Sequence, residues 1–322
     1  MSTTKTHIFS EETGLLILAE LQNLVAAGTT RYDAAIAAAN GAVATANATA
    51  ALEEYDRQVA SGVYGGRDLS TLLADEVSSA GSLPAALHLR AQAMNAAGIR
   101  VGDYADITPT VSTVNKGNAM RARIAGIAHN YQFGDTACPW AFWFLIDDPI
   151  DMTGSSYAIN TSYIMWKTTA NNNGSSTHPE PYLDSNIHAW ELGQFLPALP
   201  SAWQNVLINH RILFEKRYNA SSTLTDSTDW GWGDAGKVFS LSETEVYGQC
   251  VWGTKGYSVG ADAQLPLFRD SRWRIKSRAA WWLRSVVSGS SSDVCTVYGY
   301  GTAGRNSAAN TWVRPRPCFL VG

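Results

Sequence analysis

The sequence predicts an α+β protein in which a helical N-terminal region precedes a loop-rich C-terminal domain. Residues 1–98 place apolar side chains at helical spacing among many alanines. The twelve tryptophans lie after residue 139, among short alternating segments separated by Gly, Ser and Asn, a pattern typical of strands joined by long loops. This contrast predicts two regions, residues 1–98 and residues 99–322.

Composition and charge narrow the classes of partner. The 322 residues are 45% hydrophobic and carry a formal net charge of −4, which permits a sizeable core and argues against a nucleic-acid partner. We expect no membrane partner, since no segment is expected to be long and apolar enough to cross a bilayer. We also expect no signal peptide, because Glu11, Glu12 and Glu20 bracket the apolar run near the N-terminus.

The N-terminal region is expected to hold two long helices and two short ones. Ser10 is the expected cap of the first helix, which carries an apolar run over residues 15–25. The second covers residues 32–62, after a break at the sequence AGTT. The short helices are expected over residues 68–79 and 83–98, with Gly98 ending the last one.

The segment 32–62 is expected to join subunits. Its apolar and small residues Ile36, Val43 and Ala50 recur at a spacing of seven. A narrow stripe of small residues suits close packing between helices of different subunits better than burial in a large core. We therefore expect a homotrimer.

The C-terminal region is expected to begin with strands. Alternation and aromatic content predict them over residues 100–107, 120–129 and 141–146. A helix is expected over residues 182–196, capped by Asp184 or Ser185, and residues 201–213 are expected to form a helix or a helix-to-strand transition. Ser242 and Glu245 have the spacing of a capping box. The basic run 269–278 is expected to be a solvated hairpin.

Residues that could support catalysis or metal binding have ordinary structural interpretations. Asp147, Asp148 and Asp151 could supply oxygen ligands, but a solvated turn before Pro149 is favoured. His188 is expected to be a packed helix histidine. The cysteines, Cys138, Cys250, Cys295 and Cys318, show no metal-ligand spacing and are expected to be buried thiols, although a Cys295–Cys318 bridge stays open. We expect no enzyme activity, no cofactor and no metal.

The segment 283–312 has an unusual composition for its apolar surroundings. It combines tyrosines with Gly, Ser, Asn and an occasional Arg, as binding paratopes do. From Leu283 to Thr311 it contains no Lys, Glu, Gln, Met or Trp, although the preceding stretch uses all of these types except Met. A codon of the form NNY cannot encode those five residue types. A Gly-rich β-meander with ordinary surface tyrosines is the alternative.

Several motifs resemble the variable proteins of diversity-generating retroelements. They are KVFSLSETEVYG, LPLFRDSRWRIK, WWLRSVVSGSSSDVCTV, AGRNSAANTWVRP and the C-terminal CFLVG. More closely, residues 99–322 resemble the phage-encoded group with a C-type-lectin-like fold, which is related to the formylglycine-generating-enzyme fold. In this family a reverse transcriptase rewrites the 3′ end of the gene and randomises template adenines, often in AAY codons, which yields NNY. Trp312 departs from that pattern, either as framework or through a different template codon.

The resemblance implies a diversified receptor-binding protein. The expected protein is a phage-tail tropism determinant that assembles in the host cytoplasm, attaches to the virion through its N-terminal region and binds a bacterial cell-surface protein or glycan. The alternatives are a formylglycine-generating-like enzyme and a carbohydrate-binding lectin of fixed specificity. The resemblance assigns the framework to residues 281–285 and to Cys295, Val297, Gly301, Ala303, Ser307, Val313, Arg314 and Pro315. It assigns the ligand-facing surface to Thr296, Tyr298, Gly299, Tyr300, Thr302, Gly304, Arg305, Asn306, Asn310 and Thr311, with Val287 and Asp293 as further candidates.

Overall fold

The computed structural model describes residues 11–62, 64–129, 140–155, 157, 162–221, 223–255 and 263–322. The chain divides into two compact units, with the boundary along the sequence between Tyr64 and Gly65. Ser10 and Cys138, for which the sequence predicted a helix cap and a buried thiol, lie outside the described residues.

The first unit contains one helix, α1 (Glu11–Ala60), where the sequence predicted two. The predicted break is wrong because the threonines at that point fold into the helix. The hydroxyls of Thr29 and Thr30 each donate to a carbonyl oxygen one turn earlier, those of Val25 and Ala26, at 3.0 Å. Their donors are therefore satisfied inside the helix rather than in a turn.

The apolar side chains of α1 are exposed, including Ile36 and Val43 of the predicted stripe. The stretch Leu15–Gln58 passes the length and composition test for a membrane-crossing helix. It contains an 18-residue window of mean hydropathy 1.2, and none of that window is buried. The expectation that no segment would meet this test is therefore corrected, because the apolar residues and alanines that make up most of the stretch are interrupted by few charges.

Three short helices open the second unit: α2 (Leu69–Leu72), α3 (Ala74–Ala80) and α4 (Leu83–Gln92). The Ser82 hydroxyl accepts from the amide of Ala85 and caps α4. Leu69 and Leu87 are fully buried in the core that also holds the main sheet. The structure thus places residues 65–98 with the C-terminal unit, whereas the sequence placed the division at residue 98.

The main sheet is antiparallel and has six strands. They are β1 (Tyr104–Ile107), β2 (Met120–Ile127), β3 (Phe142–Ile146), β4 (Leu207–Ile208), β7 (Val238–Phe239) and β11 (Cys318–Val321). The order is β1-β2-β3-β11-β4, and β7 also pairs with β11. The strands predicted from alternation are confirmed, and the C-terminal strand lies inside the sheet because every residue of Cys318–Val321 is apolar and buried.

Two smaller antiparallel sheets complete the strands. The first pairs β5 (Arg211–Lys216) with β6 (Asp229–Asp234), and the second has the order β10-β9-β8. Its strands are β8 (Trp281–Val286), β9 (Asp293–Val297) and β10 (Ala303–Ser307). Mixed helices and antiparallel sheets confirm the α+β class.

The remaining helices are short, and two of them have side-chain caps. They are α5 (Asn186–Trp190), α6 (Leu196–Ala198), α7 (Ser201–Gln204) and α8 (Glu243–Tyr247), with a π-helical turn over Glu191–Phe195. Ser185 caps α5, and both halves of the capping box at Ser242 and Glu245 are present. The predicted helix-to-strand transition is confirmed, since β4 and β5 follow α7.

The basic run 269–278 does not form the predicted hairpin. It contains the end of a 3-10 helix, Pro266–Arg269, and a second one, Ser271–Arg274. The reason is Trp273, whose ring is only 8% exposed and attracts nearby cations. The guanidinium of Arg123 lies 4.3 Å from its centroid, and the ammonium of Lys276 lies 4.5 Å away.

Candidate functional site

Two adjacent tryptophans of β8, Trp281 and Trp282, anchor the three-stranded sheet β8-β9-β10, and we call them the tryptophan frame. Trp281 and Trp282 are fully buried. The indole Nε1 of Trp282 donates to the Ile164 carbonyl at 2.8 Å, and that of Trp281 donates to the Arg274 carbonyl at 3.2 Å. Each ring is therefore both buried and hydrogen-bonded, so these two residues fix the position of β8 and of the strands paired to it.

A tight turn joins β9 to β10 and carries Tyr298 and Tyr300. The Tyr298 amide donates to the Thr302 carbonyl at 2.9 Å, and the Gly301 amide donates to the Tyr298 carbonyl at 2.7 Å. Gly301 has φ +87°, a left-handed conformation that favours glycine. The turn therefore presents Tyr298 and Tyr300 from a fixed backbone.

Three aromatic side chains group together at this turn, and we call Tyr298, Tyr300 and Trp312 the aromatic platform. The rings of Tyr298 and Tyr300 are 5.6 Å apart between centroids and 28° from parallel. The rings of Tyr298 and Trp312 are 6.2 Å apart and 9° from parallel. Tyr300 is 68% exposed and Trp312 is 44% exposed, so the platform offers large ring faces to solvent.

The platform forms part of an open pocket of about 710 Å³. Tyr163 and Arg278 lie on the rest of its wall, with Ile275 and the small residues Ala279, Ala280 and Gly299. This volume falls within the range of ordinary small-ligand sites, roughly 300–1,000 Å³. The lining combines ring faces, small residues and one cation, which suits a ligand with both an apolar face and an anionic group.

A second cluster surrounds Arg305 on the neighbouring strand. Its guanidinium lies 5.1 Å from the Trp252 ring centroid and 3.9 Å from a carboxylate oxygen of Asp293. The Trp252 indole donates to the Ala303 carbonyl at 3.3 Å. Both Trp252 and Arg305 are exposed, so this cluster provides a further aromatic and cationic contact surface.

Two asparagine side chains form hydrogen bonds beside the platform. The side-chain amide of Asn306 donates to the Thr296 hydroxyl at 3.1 Å. The side-chain amide of Asn310 donates to the side-chain oxygen of Asn306 at 3.4 Å. The Trp312 backbone amide donates to the Asn310 side chain at 2.8 Å. This chain of hydrogen bonds links β9, β10 and the segment that carries Trp312.

The structure divides the predicted ligand-facing residues by exposure. Tyr300, Thr302, Arg305 and Thr311 are exposed, and Tyr298, Gly299, Asp293, Asn306 and Asn310 are half-buried. Val287, Thr296 and Gly304 are buried and do not reach the surface, which corrects their assignment. Residue Thr296 lies on the middle strand of the sheet, where all of Val294–Val297 is buried and simple alternation fails.

The two glycines predicted for this surface have steric roles. A Cβ at Gly299 would lie 2.1 Å from the Arg278 carbonyl oxygen, and one at Gly304 would lie 2.6 Å from the Tyr298 ring. Because Gly304 has no side chain, the Tyr298 ring can pack directly against it. Gly299 permits the backbone of Arg278 to approach the turn.

Sequence reasoning missed four side chains of this surface: Tyr163, Trp252, Arg278 and Trp312. The first three lie outside the segment 283–312, and only the tertiary fold brings them to it. Trp312 adjoins the ligand-facing residues in sequence, but it was not assigned to the surface. Its departure from the NNY codon pattern is the one feature of the sequence that set it apart.

Of the three acidic residues considered for metal binding, Asp147 and Asp151 form ion pairs, and Asp148 accepts a hydrogen bond from the Ser277 hydroxyl. Asp147 is buried, so the interpretation of this residue as part of a solvated turn is wrong. Its carboxylate lies 2.7 Å from Arg123 and 2.8 Å from Lys276. Burial alone would raise the pKa of Asp147, but these two cations outweigh it and lower the pKa. Asp151 pairs with Lys116 at 2.8 Å. Within the described ranges no group of three His, Cys, Asp or Glu side chains has metal-binding geometry.

Of the remaining candidates, Cys295 and Cys318 are buried, as expected, whereas Cys250 and His188 are half-buried. Cys295 and Cys318 are free thiols in different sheets, so the possible bridge does not form. Burial raises the pKa of both thiols well above the ordinary value. Burial also lowers the pKa of His188, whose ring contacts the Ala235 carbonyl at 3.2 Å, in agreement with a packed histidine.

The chain was compared with known proteins. The profile of a family described as a domain of unknown function, DUF6273, matches residues 143–322. This range includes the three-stranded sheet, the aromatic platform and the C-terminal strand. No curated protein and no solved structure matches the chain.

Proposed function

We propose that this chain, which belongs to the DUF6273 family, is a receptor-binding protein whose ligand surface is diversified. The observation that carries the proposal is the separation of its exposed and buried parts. Tyr300, Thr302, Arg305 and Thr311 are exposed on one short segment, in the same region as the sheet whose strand β8 carries the fully buried Trp281 and Trp282. A scaffold that accepts many sequences needs this separation, because exposed positions change stability little whereas buried ones change it strongly.

The composition of the segment supports the same proposal. Leu283–Thr311 lacks the five residue types that NNY codons exclude, and its motifs resemble the variable proteins of diversity-generating retroelements. We propose that the second unit has the C-type-lectin-like fold of that group. Its support is the loop-rich antiparallel architecture together with the motif string.

The biological setting belongs to the proposal. The protein is a tropism determinant of a phage tail, assembled in the host cytoplasm, and it binds a protein or glycan on a bacterial surface. The first unit attaches it to the virion and associates with two further copies through α1. Several copies would raise the apparent affinity of a weak site by roughly 10²–10⁴ without new contacts.

The test measures binding of the labelled full chain to a panel of bacterial strains. Trp312 and Trp232 form a matched pair, since they are 44% and 42% exposed but only Trp312 belongs to the platform. Trp312→Ala should weaken binding to the recognised strains at least about tenfold, as loss of a central aromatic anchor does, and Trp232→Ala should leave it unchanged. Binding that does not discriminate among strains, or equal effects of the two substitutions, would contradict the proposal.

A further inference from the structure

The aromatic pocket carries one cation, Arg278, and its described lining residues include no acid. The guanidinium of Arg278 is exposed and makes no ion pair with any described residue. An exposed guanidinium beside aromatic faces retains its full capacity for a two-point contact with a carboxylate. The pocket is therefore electrostatically complementary to an anion.

The backbone position of Arg278 is fixed by contacts rather than left to a flexible loop. Ser277 and Arg278 have φ +50° and +51°, a left-handed conformation that is uncommon for residues other than glycine. The Ser277 hydroxyl donates to Asp148 at 2.5 Å. The Arg278 carbonyl packs against Gly299, where a Cβ would lie only 2.1 Å from its oxygen. These contacts hold the backbone of Arg278 at the edge of the turn that bears Tyr298 and Tyr300, so the side chain starts from a fixed position beside the pocket.

The apolar part of the pocket favours a sugar ring over a peptide. Aromatic faces bind the C–H groups of a pyranose, and the Tyr300 and Trp312 side chains, 68% and 44% exposed, are open to such contacts. A peptide that bound by adding a strand would need free backbone groups along the wall. Of the two flanking alanines, the Ala279 amide already donates to Lys276, and the Ala280 carbonyl already accepts from Arg314, at 3.1 and 3.0 Å.

We propose that this pocket binds a carboxylate-bearing sugar of the uronic acid type, presented by a cell-surface glycan. The ring of the sugar rests on the aromatic platform, and its carboxylate pairs with Arg278. This inference rests on the proposed receptor-binding function and names the ligand class of the same site.

The experiment titrates the full chain with methyl β-D-glucuronide and with methyl β-D-glucoside, which has the same ring without the carboxylate. Calorimetry should give about two- to fivefold tighter binding of the glucuronide, the advantage expected from one exposed charge pair. Arg278→Gln should make the two affinities equal. Arg269→Gln, which removes an exposed arginine outside the pocket, should preserve the preference.

Equal affinities in the unchanged protein, a preference that survives Arg278→Gln, or no binding of either glycoside would overturn the ligand class. An acidic peptide that binds instead, and loses affinity in Arg278→Gln, would also overturn it in favour of a protein receptor. These failures are distinguishable from failure of the proposed function. Strain-selective cell binding that depends on Trp312 would still support a receptor-binding protein with another ligand.

Discussion

The ring of Tyr298 lies nearly parallel to the ring of Trp312, 9° apart with 6.2 Å between their centroids. The two residues are separated by β10, and Tyr298 reaches across that strand. Its ring packs on Gly304, and its hydroxyl donates to the Arg305 carbonyl at 3.2 Å. The strand therefore holds the ring that forms the centre of the platform.

Stability and recognition should separate between the frame and the platform. Trp282→Ala should lower the free energy of unfolding by about 3–5 kcal/mol, because it empties a fully buried site and leaves the Ile164 carbonyl without its donor. Tyr300→Ala should change it by no more than about 0.5 kcal/mol, since Tyr300 is 68% exposed. Chemical denaturation measures both. A larger loss from Tyr300→Ala than from Trp282→Ala would mean that the inside and the outside of this sheet are inverted.

The two glycines of the turn region should respond differently to alanine. Gly299→Ala should destabilise the fold, because the new Cβ would meet backbone, the Arg278 carbonyl oxygen at 2.1 Å. Gly304→Ala should mainly displace the Tyr298 side chain, and hence weaken ligand or cell binding more than stability. Thermal melts beside the binding assay distinguish these effects, and Gly193→Ala, where an added Cβ would meet nothing within 4 Å, serves as the control. Normal melting of Gly299→Ala would contradict the steric argument.

Sibling copies of the gene should vary where the structure exposes side chains. We expect differences at Tyr300, Thr302, Arg305 and Thr311. Agreement is expected at the buried Val287 and Thr296 and at Gly299, although the sequence alone placed all three on the variable surface. Deep sequencing of the source population measures this pattern. Substitutions spread evenly over the second unit would rule out targeted diversification.

Local signals predicted the fold well where neighbours along the chain decide the conformation. Ser242 and Glu245 form their capping box, and Ser185 caps its helix, because both partners lie within one turn. The break predicted at the sequence AGTT, residues 27–30, failed for a related reason, since threonine hydroxyls can bond inside a helix as well as in a turn. Composition alone does not decide between those two bonds.

The candidate site was only partly predictable because several of its parts are distant in sequence. Alternation identified the exposed Tyr300 and Thr302, which lie on a turn. It failed at Thr296, because β9 is the middle strand of its sheet and is covered on both faces. Tyr163 and Arg278 enter the pocket only through tertiary packing, and no periodicity within the segment 283–312 can point to them.

A buried carboxyl group should make stability depend on pH. Glu191 accepts hydrogen bonds from Tyr182 and, at 2.7 Å, from the Ser240 hydroxyl, yet burial dominates and raises its pKa from 4.5 to about 7. Between these values the folded state binds more protons than the unfolded state, so stability is highest below pH 4.5 for this group and falls as the pH rises through 7.

Glu191→Gln tests this dependence, because it keeps the shape of the side chain and removes the titration. We compare the unfolding free energies of the original and variant proteins. Their difference should change over this pH range by about 1.4 kcal/mol for each unit by which the pKa of Glu191 in the folded state exceeds that in the unfolded state. Urea denaturation at a series of pH values between 4 and 8 measures it. The comparison isolates Glu191 from other buried acids, such as Glu215 and Glu243, which both proteins share. A difference that stays constant over this range would contradict the raised pKa.

The apolar stripe of α1 should join three copies of the chain. Ile36 and Val43 lie on one side of the helix, at two-turn spacing, and are 43% and 58% exposed. Ile36→Glu with Val43→Glu should convert the trimer to monomers, because it places charges at the packed seam. The control, Ala38→Glu with Thr45→Glu, adds the same charge on the opposite side of the helix and should leave the trimer intact. Light scattering on the full chain gives the mass in each case. A monomeric full chain that sediments with lipid vesicles would instead indicate that α1 enters a membrane, which its length and composition also permit.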